Sequence, residues 1–273
     1  MSAFHRHPLI LAAVCLALPV AAHAQTWEGT IRTREISFDV GLFSARVGDD
    51  PERILEIPLA DILAARERPD AGDFAFSLNA ATLKLKGPRV RTDLTGEVMA
   101  EMGVGFGVMN VDEGMMYMVI PEQQMIVEMN IAEIEELMQG IPRPEPGPPP
   151  EVETLGQTRV VNGVRCAGYR IRSASEVTVA WVSDADRQLH AVFQRFADLV
   201  RKMDPTDVDP ELLLAQYGFP MLSYTINGTS VQIEETLAIE RGAVPDSEFA
   251  LPADYQRTSM LDMMRQQMEQ IRR

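Results

Sequence analysis

The sequence predicts an α+β fold built on an antiparallel β-sheet, and three observations point to it. β-rich segments meet at two Asn-Gly pairs, residues 162–163 and 227–228, and this pair is typical of a two-residue hairpin turn. Residues 108–131 divide into three short strands separated by tight turns. Residues 189–203 carry apolar side chains at helical spacing. Hairpins combined with separate amphipathic helices predict an antiparallel sheet with helices packed on it.

The first half of the chain supplies most of the predicted strands. Residues 27–40 are β-rich and predict a first strand, and residues 58–68 predict a short helix. Residues 78–94 predict a hairpin, which is followed by the three strands of residues 108–131. The middle strand of these three, residues 115–120, is apolar on both faces. We therefore expect the sheet to be covered on both sides at this strand.

The second half begins after a short helix predicted over residues 132–139 and a Pro-rich extended connector over residues 141–150. Residues 158–172 predict a hairpin, and residues 177–182 predict a second strand with two apolar faces. Residues 189–203 then form the predicted amphipathic helix.

The remaining elements end the chain. Asp209 is a predicted N-cap of a helix that runs to Tyr217. Residues 221–239 predict another hairpin. Residues 258–273 predict a Met-rich amphipathic C-terminal helix. We expect residues 25–257 to form one domain, with the C-terminal helix added to it.

Composition limits the possible partners. The chain has 273 residues, of which 46% are apolar and 24% are charged, and this is typical of a globular protein rather than a coiled coil or a disordered chain. The formal net charge is −15. Such a protein repels phosphate backbones, so we expect no nucleic-acid partner.

The N-terminus has the three parts of an export signal. A basic start is followed by an apolar run over residues 9–22, and an A-x-A sequence ends at Ala24. The run is shorter than the roughly 17–25 residues of a membrane-spanning helix. We therefore interpret residues 1–24 as a cleaved signal peptide, predict a periplasmic location, and expect no transmembrane segment in the mature chain.

Catalytic and metal-binding patterns are weak. After Ala24 the sequence has a single histidine, His190, and a single cysteine, Cys166, so a His-dependent nucleophile or a zinc site is not indicated. We expect Cys166 to be a small buried residue. The acids of residues 204–211 suggest calcium, but helix capping explains Asp209 and Glu211 without a metal, and we favour capping. We predict no catalytic residue, no metal and no cofactor, and therefore no enzyme.

Methionine is unusually frequent, with 16 in the chain and a concentration between residues 99 and 129. Three interpretations stay open: packing in the core, an adaptable apolar groove that uses the flexible thioether, or a copper(I) site. No histidine or cysteine joins the cluster, which disfavours copper. The candidate groove residues are Met99, Met102, Phe106, Met109, Met116, Met118, Trp181, Met260, Met264 and Met268.

Several short sequences occur together in a fixed order, at residues 85–91, 112–118, 121–125, 161–169, 179–182, 218–220, 246–249 and 252–255. Their order and spacing resemble a family of exported bacterial proteins of unknown function that is described as similar to the periplasmic lipoprotein carrier LolA. The resemblance covers most of residues 80–256. It implies a strongly curved, unclosed β-barrel with helices packed on or across the concave face, which in the carriers holds acyl chains. It implies no catalytic residues.

Two functions follow. The first is a periplasmic, non-enzymatic carrier with an apolar groove for a lipid or an acylated ligand. The alternative is a protein–protein interaction module of the cell envelope, whose core is filled by its own helices and takes no small ligand. The two differ in whether the Met-rich face stays accessible.

Overall fold

The computed structural model describes residues 27–68, 76–96, 103–139, 148–203 and 213–263. Within these ranges all strands belong to one sheet, whose strands are β1 (Glu28–Asp39), β2 (Phe76–Lys86), β3 (Arg89–Gly96), β4 (Phe106–Asn110), β5 (Met115–Ile120), β6 (Met125–Asn130), β7 (Glu151–Val161), β8 (Val164–Arg172), β9 (Val177–Ser183), β10 (Phe219–Asn227), β11 (Ser230–Arg241) and β12 (Gln256–Ser259). The α-helices are α1 (Ser44–Val47), α2 (Leu59–Ala65), α3 (Ile131–Gln139) and α4 (Arg187–Met203), and shorter 3-10 turns cover Val40–Phe43, Pro51–Glu56, Pro121–Gln123 and Asp246–Phe249.

The sheet runs in the order β12-β6-β5-β4-β3-β2-β1-β11-β10-β9-β8-β7. Every neighbouring pair is antiparallel except β12, which lies parallel to β6. The first strand lies in the middle of the sheet, where it joins the strands of the first half to those of the second. The sheet ends at β12 and at β7 and does not close, which confirms the predicted α+β class.

The sheet is strongly curved. In a flat sheet β8 and β11 would lie about 14 Å apart, because three strand spacings separate them. Asn162, in the turn between β7 and β8, nevertheless donates a hydrogen bond from Nδ2 to Glu235 Oε1 at 3.1 Å and another to the carbonyl oxygen of Thr236 at 2.8 Å. Register shifts interrupt the β1–β11, β9–β10 and β7–β8 pairs, and such bulges increase bend and twist.

Strand alternation gives the sheet two distinct faces. In the unbroken pairing of β1 with β2, Ile31 lies opposite Leu83 and Ile36 lies opposite Leu78. Ile31 and Ile36 are five positions apart, so their side chains point to opposite faces. Helix α4 packs on the face of Ile31, which we call the α4 face. Residues 40–65 pack on the face of Ile36, which we call the reverse face.

The cover of the reverse face is ordered by its local sequence. Asp39 accepts a hydrogen bond from the backbone N–H of Gly41, and Asp50 accepts one from the N–H of Glu52, so each acid caps the turn that follows it. Pro51 begins the second turn with a preset φ angle. These turns bring a set of fully buried apolar side chains onto the sheet.

A second cover crosses the reverse face farther along. After β11 the chain crosses the outside of β3 and β4 over residues 242–252, a segment we call the strap. Val244 and Phe249 of the strap pack on Val108 of β4. The strap then leads into β12 at the edge of β6.

Most sequence-predicted elements are found, with one correction. The predicted C-terminal helix does not begin at residue 258, because Thr258 and Ser259 belong to β12 and pair with Val127 and Glu128 of β6. Residues 260–263 are helical. The predicted signal peptide, residues 140–147 of the Pro-rich stretch, the predicted Asp209 cap and residues 264–273 lie outside the described residues. No helix in the described ranges is both long and apolar enough to cross a bilayer.

Candidate functional site

Asp186 fixes the start of α4 on the sheet. Its Oδ1 accepts hydrogen bonds from the backbone N–H groups of Gln188 and Leu189 at 3.1 and 3.0 Å, which makes it the N-cap. Its Oδ2 accepts from Trp27 Nε1 at 3.1 Å, and the guanidinium of Arg241 contacts both oxygens. Burial alone would raise the pKa of Asp186, but the hydrogen bonds from Arg241, Leu189 and Trp27 hold this pKa below its usual value.

Cross-strand pairing arranges the α4 face in rows. The row beneath α4, which we call the covered row, consists of Leu85, Val90, Met109, Met116 and Met129. Met109 is 1% exposed and Met116 is 6% exposed. These two methionines therefore belong to the core.

The adjacent row, which we call the second row, contains Leu83, Thr92, Gly107, Met118 and Val127. Gly107 and Met118 are half-buried, unlike the buried residues beside them. Among the described residues, a Cβ atom placed on Gly107 would meet the carbonyl oxygen of Tyr117 at 3.8 Å and no other atom within 4 Å. The second row therefore has a narrow opening above Gly107, with the flexible Met118 side chain on one side of it.

Thr92 lies on the other side of this opening and is 2% exposed. Among the described residues its Oγ1 has no hydrogen-bond partner. A buried hydroxyl without a partner costs free energy, so in native structures it usually marks a bound water or a ligand position.

The same face becomes polar toward the other end of β2 and β3. Glu35 of β1 lies opposite Asn79 of β2, and Asn79 lies opposite Gly96 of β3. Burial raises the pKa of Glu35, and hydrogen bonds from Asn79 and from Ser37 offset part of that rise. The α4 face is thus apolar at one end and carries a carboxyl and an amide at the other.

The structure brings together only some of the predicted groove residues. Met109, Met116 and Met118 share the α4 face. Phe106 and Trp181 are on the reverse face, where Phe106 lies 3.9 Å beneath the guanidinium of Arg91 and Trp181 packs with the core below residues 40–65. Half-buried Met260 follows β12 directly, and the remaining candidates, Met99, Met102, Met264 and Met268, lie outside the described residues.

The cysteine and the histidine have structural surroundings. Cys166 is buried as predicted, and burial raises the pKa of its thiol, which disfavours the reactive thiolate. The Nε2 atom of His190 lies 2.7 Å from the carbonyl oxygen of Ala215, so His190 ties α4 to the segment that precedes β10. In the ranges that the structure covers, no group of three acidic, histidine or cysteine side chains is placed to hold a metal.

Sequence reasoning did not find Glu35, Asn79 and Thr92. One signal for Thr92 is present, because it alternates with Val90 and Leu94 in a strand and so takes an inward position. The pairing of Glu35 with Asn79 has no local signal, because it depends on the register between two strands that are far apart in the chain.

Comparison with known proteins gave one family and several distant structures. A search of curated proteins found no match. Among solved structures, two crystal forms of PNGF-II match at 10% identity with TM-scores of 0.36 and 0.38, each covering 87% of this chain and 32% of PNGF-II. This chain therefore spans about a third, 32%, of the length of PNGF-II. A LolA superfamily protein from Nitrosomonas europaea matches at 8% identity with a TM-score of 0.32, covering 89% of this chain and 96% of that one.

The comparison with protein families identified a family. The family described as "Domain of unknown function (DUF4412)" matches residues 76–255. This range includes the short sequences at residues 85–91 through 252–255, so the resemblance to a family of unknown function is confirmed. The chain belongs to the DUF4412 family.

Proposed function

We propose that the protein is a non-enzymatic carrier that is exported to the periplasm and binds a lipid or an acylated ligand on the α4 face. The observation that carries this proposal is the opening in the second row between Thr92 and Met118, above Gly107. An acyl chain is the occupant that suits a narrow opening lined by Met118 and bordered by buried Leu83 and Val127.

The length of the second row and the burial that it offers to apolar groups support an acyl chain as the ligand. A row that crosses five strands extends about 19 Å, which is enough to hold a long alkyl chain. Burying each methylene contributes about 0.8 kcal/mol. Several methylenes along the second row would therefore give useful affinity without any charged contact.

Helix α4 is the natural cover of this site. It lies on the covered row, beside the second row, and Asp186 holds its first turn. Ala197 and Leu199, later in α4, are buried in the same core cluster as the covered row, so a change in the position of α4 requires these side chains to repack. Adjustment of α4 would widen the opening above Gly107.

The alternative function, an interaction module filled by its own helices, takes its support from the covered row. Met109 and Met116 are already buried under α4. In that case the opening in the second row would hold only water. The two functions therefore predict different results for ligand binding by the same protein.

The test is native mass spectrometry of the protein isolated from the periplasm, followed by uptake of a 12-carbon fluorescent fatty acid by the delipidated chain. A carrier should show a reproducible lipid adduct. The variant Gly107→Val fills the opening and should weaken uptake about tenfold, because it displaces roughly two methylenes of the ligand. A β-branched residue suits a strand, so we expect the variant to fold.

Gly242→Val is the matched control, because a Cβ at this exposed strap glycine meets nothing within 4 Å. It should bind the fatty acid as the unmodified protein does. Absence of both adduct and uptake would contradict the carrier and favour the interaction module. Equal uptake by Gly107→Val and Gly242→Val would move the ligand away from the second row.

A further inference from the structure

The polar end of the α4 face contains an unsatisfied acceptor. The Oδ1 atom of Asn79 is buried and has no hydrogen-bond partner among the described residues. The Asn79 side chain lies over Gly96, where any Cβ would collide with Oδ1. Gly96 has a φ of 148°, a value that L-residues rarely adopt. Glycine at position 96 therefore leaves room for the Asn79 amide, and no described residue donates a hydrogen bond to the oxygen of that amide.

Glu35 supplies a second acceptor at the same place. It lies directly across β1–β2 from Asn79, and its side chain is partly buried. Glu35 already accepts a hydrogen bond from Asn79 and a weak one from the Ser37 hydroxyl, which lies 3.4 Å from Oε1, and a carboxylate has lone pairs for further donors. A carboxylate and an amide oxygen that share one face both require hydrogen-bond donors.

The charges of the central strands are segregated between the two faces. Alternation in β1, β2 and β3 directs every basic side chain of these strands to the reverse face, namely Arg32, Arg34, Lys84, Lys86, Arg89 and Arg91. Arg34 pairs there with Glu235 at 2.5 Å, and Lys84 pairs with Glu248 of the strap at 2.8 Å.

The α4 face of the same strands has the opposite sign. Glu35 is on it, and across β11 its direct partner is a second acid, Glu234. Glu35 is the one charged side chain that the described residues 28–38 of β1 and the strands β2 and β3 direct to this face, and its carboxylate gives the face a negative charge. A cation is the group that such a charge attracts.

Distance links this polar end to the opening in the second row. Thr92, beside the opening, and Gly96, beneath Asn79, are four residues apart on β3 and on the same face. Four strand residues span about 13–14 Å. An amphiphile with its polar end at Asn79 and Glu35 can therefore direct its chain past the Thr92 hydroxyl toward Gly107, which lies two strands from Asn79.

We propose that the Glu35–Asn79 end of the α4 face binds the polar end of an amphiphile that carries a protonated amine. The ammonium group donates to the Glu35 carboxylate and to Asn79 Oδ1, and it satisfies the acceptor that the described residues leave without a donor. This inference rests on the proposed carrier function and adds to it the class of head group.

The test compares three 12-carbon probes that differ only in the head group: dodecylamine, dodecanol and dodecanoate. Binding of each probe to the full protein is measured directly by titration calorimetry at pH 7, below the micelle-forming concentration of the probe. We expect dodecylamine to bind at least about tenfold more tightly than dodecanol, since hydrogen bonds to charged groups are the strong ones. Dodecanoate should bind least tightly.

Two variants locate the preference. Glu35→Gln keeps the size of the side chain and removes its charge, so it should abolish the advantage of the amine and leave dodecanol unchanged. Asn79→Ala should reduce the same advantage. Glu240→Gln is the matched control, because Glu240 is an exposed acid of β11 paired with Arg32, and its removal changes the net charge equally.

Each result has a defined meaning. Equal affinity for the three probes, or a preference that survives in Glu35→Gln, would overturn the amine site and leave the carrier function standing. Failure of all three probes and of the fatty acid to bind would overturn the carrier function itself. Thermal melting of each variant shows whether the fold is retained.

Discussion

The two faces of this sheet are closed in different ways. The reverse face is sealed by residues 40–65, whose Ile54 and Ile62 are fully buried against Ile36. Among the described residues the α4 face is covered by α4 together with Ile131 and Ala215, and it carries the half-buried residues Gly107 and Met118. A well-packed branched core resists change, whereas methionine and glycine leave shape adjustable. The comparison therefore supports a stabilising role for the reverse face and agrees with the proposal that the α4 face binds the ligand.

The two faces also differ in how their charged side chains are paired. On the reverse face, the strap brings carboxylates to the basic side chains of β2 and β3, and the hydrogen bond to Glu248 is the main cause that raises the pKa of Lys84. Hydrogen bonds from Arg89 and Lys86 likewise lower the pKa of Asp246. Charges on this face satisfy one another. On the α4 face burial is the main influence on Glu35 and raises its pKa.

The largest expected effect tests the assignment of stability. Ile62→Ala should lower the free energy of unfolding by about 2–5 kcal/mol, because it leaves a cavity in a fully buried site. Met118→Ala should cost no more than about 1 kcal/mol, because Met118 is half-buried, and should weaken fatty-acid uptake instead. Urea unfolding measures both. Equal losses of stability in the two variants would break the comparison between the faces.

A smaller effect is expected at the clamp of α4. Asp186→Ala removes the helix N-cap and the contacts with Trp27 and Arg241, so it should lower the free energy of unfolding by about 2 kcal/mol. If α4 is the cover of the site, this variant should also take up the fatty acid faster, as measured by stopped-flow fluorescence. Asp184→Ala, at an exposed neighbouring acid, is the control. Unchanged uptake would show that α4 is a fixed part of the core.

The smallest expected effect is a gain in the free energy of unfolding rather than a loss. The folded protein holds the pKa of Glu35 above its ordinary value of 4.5, so the native state binds this proton more tightly than the unfolded state does. The stability that protonation gives is present below pH 4.5 and is lost as the pH rises through the folded pKa. Glu35→Gln should therefore be more stable than the unmodified protein at pH 7 and similar to it near pH 4.

Urea unfolding at these two pH values measures the difference, with Glu240→Gln as the control. A Glu35→Gln variant that is less stable at pH 7 would show that the ionised carboxylate is a structural partner. The charged side chains of both faces would then stabilise the fold, and the two faces would no longer differ in this respect.

Local patterns were enough to predict most of the strands, but they could not assign side chains to faces. The Asn162-Gly163 turn forms with positive φ at both residues, as an Asn-Gly hairpin requires. Met109, Met116 and Met118 meet as a cluster in the way that their strands' alternation suggests. Alternation shows which residues of a single strand share a face, but it does not show which face of the sheet they lie on. The face of Phe106 or Trp181 depends on pairing between strands, and the sequence does not contain that information locally.

The covers were the least predictable part. Residues 40–65 form short capped turns without helical periodicity, so only α2 was expected there. The strand β12 has four residues, and it forms because the strap brings it to the edge of β6. Helical periodicity in the following residues extended the predicted helix two residues too far toward the N-terminus. Tertiary placement decides such segments more than their own propensity.

The central position of β1 sets an order of assembly. Arg32 of β1 bonds to Glu240 of β11 across 208 positions of sequence, so the earliest strand to be synthesised waits for one of the last. Contacts of such long range slow folding, because a large loop must close before they form. Until then one edge of β1 has no neighbour and can pair with any available strand. The pairing of β1 with β11 therefore requires the chain through Arg241 before the centre of the sheet is complete.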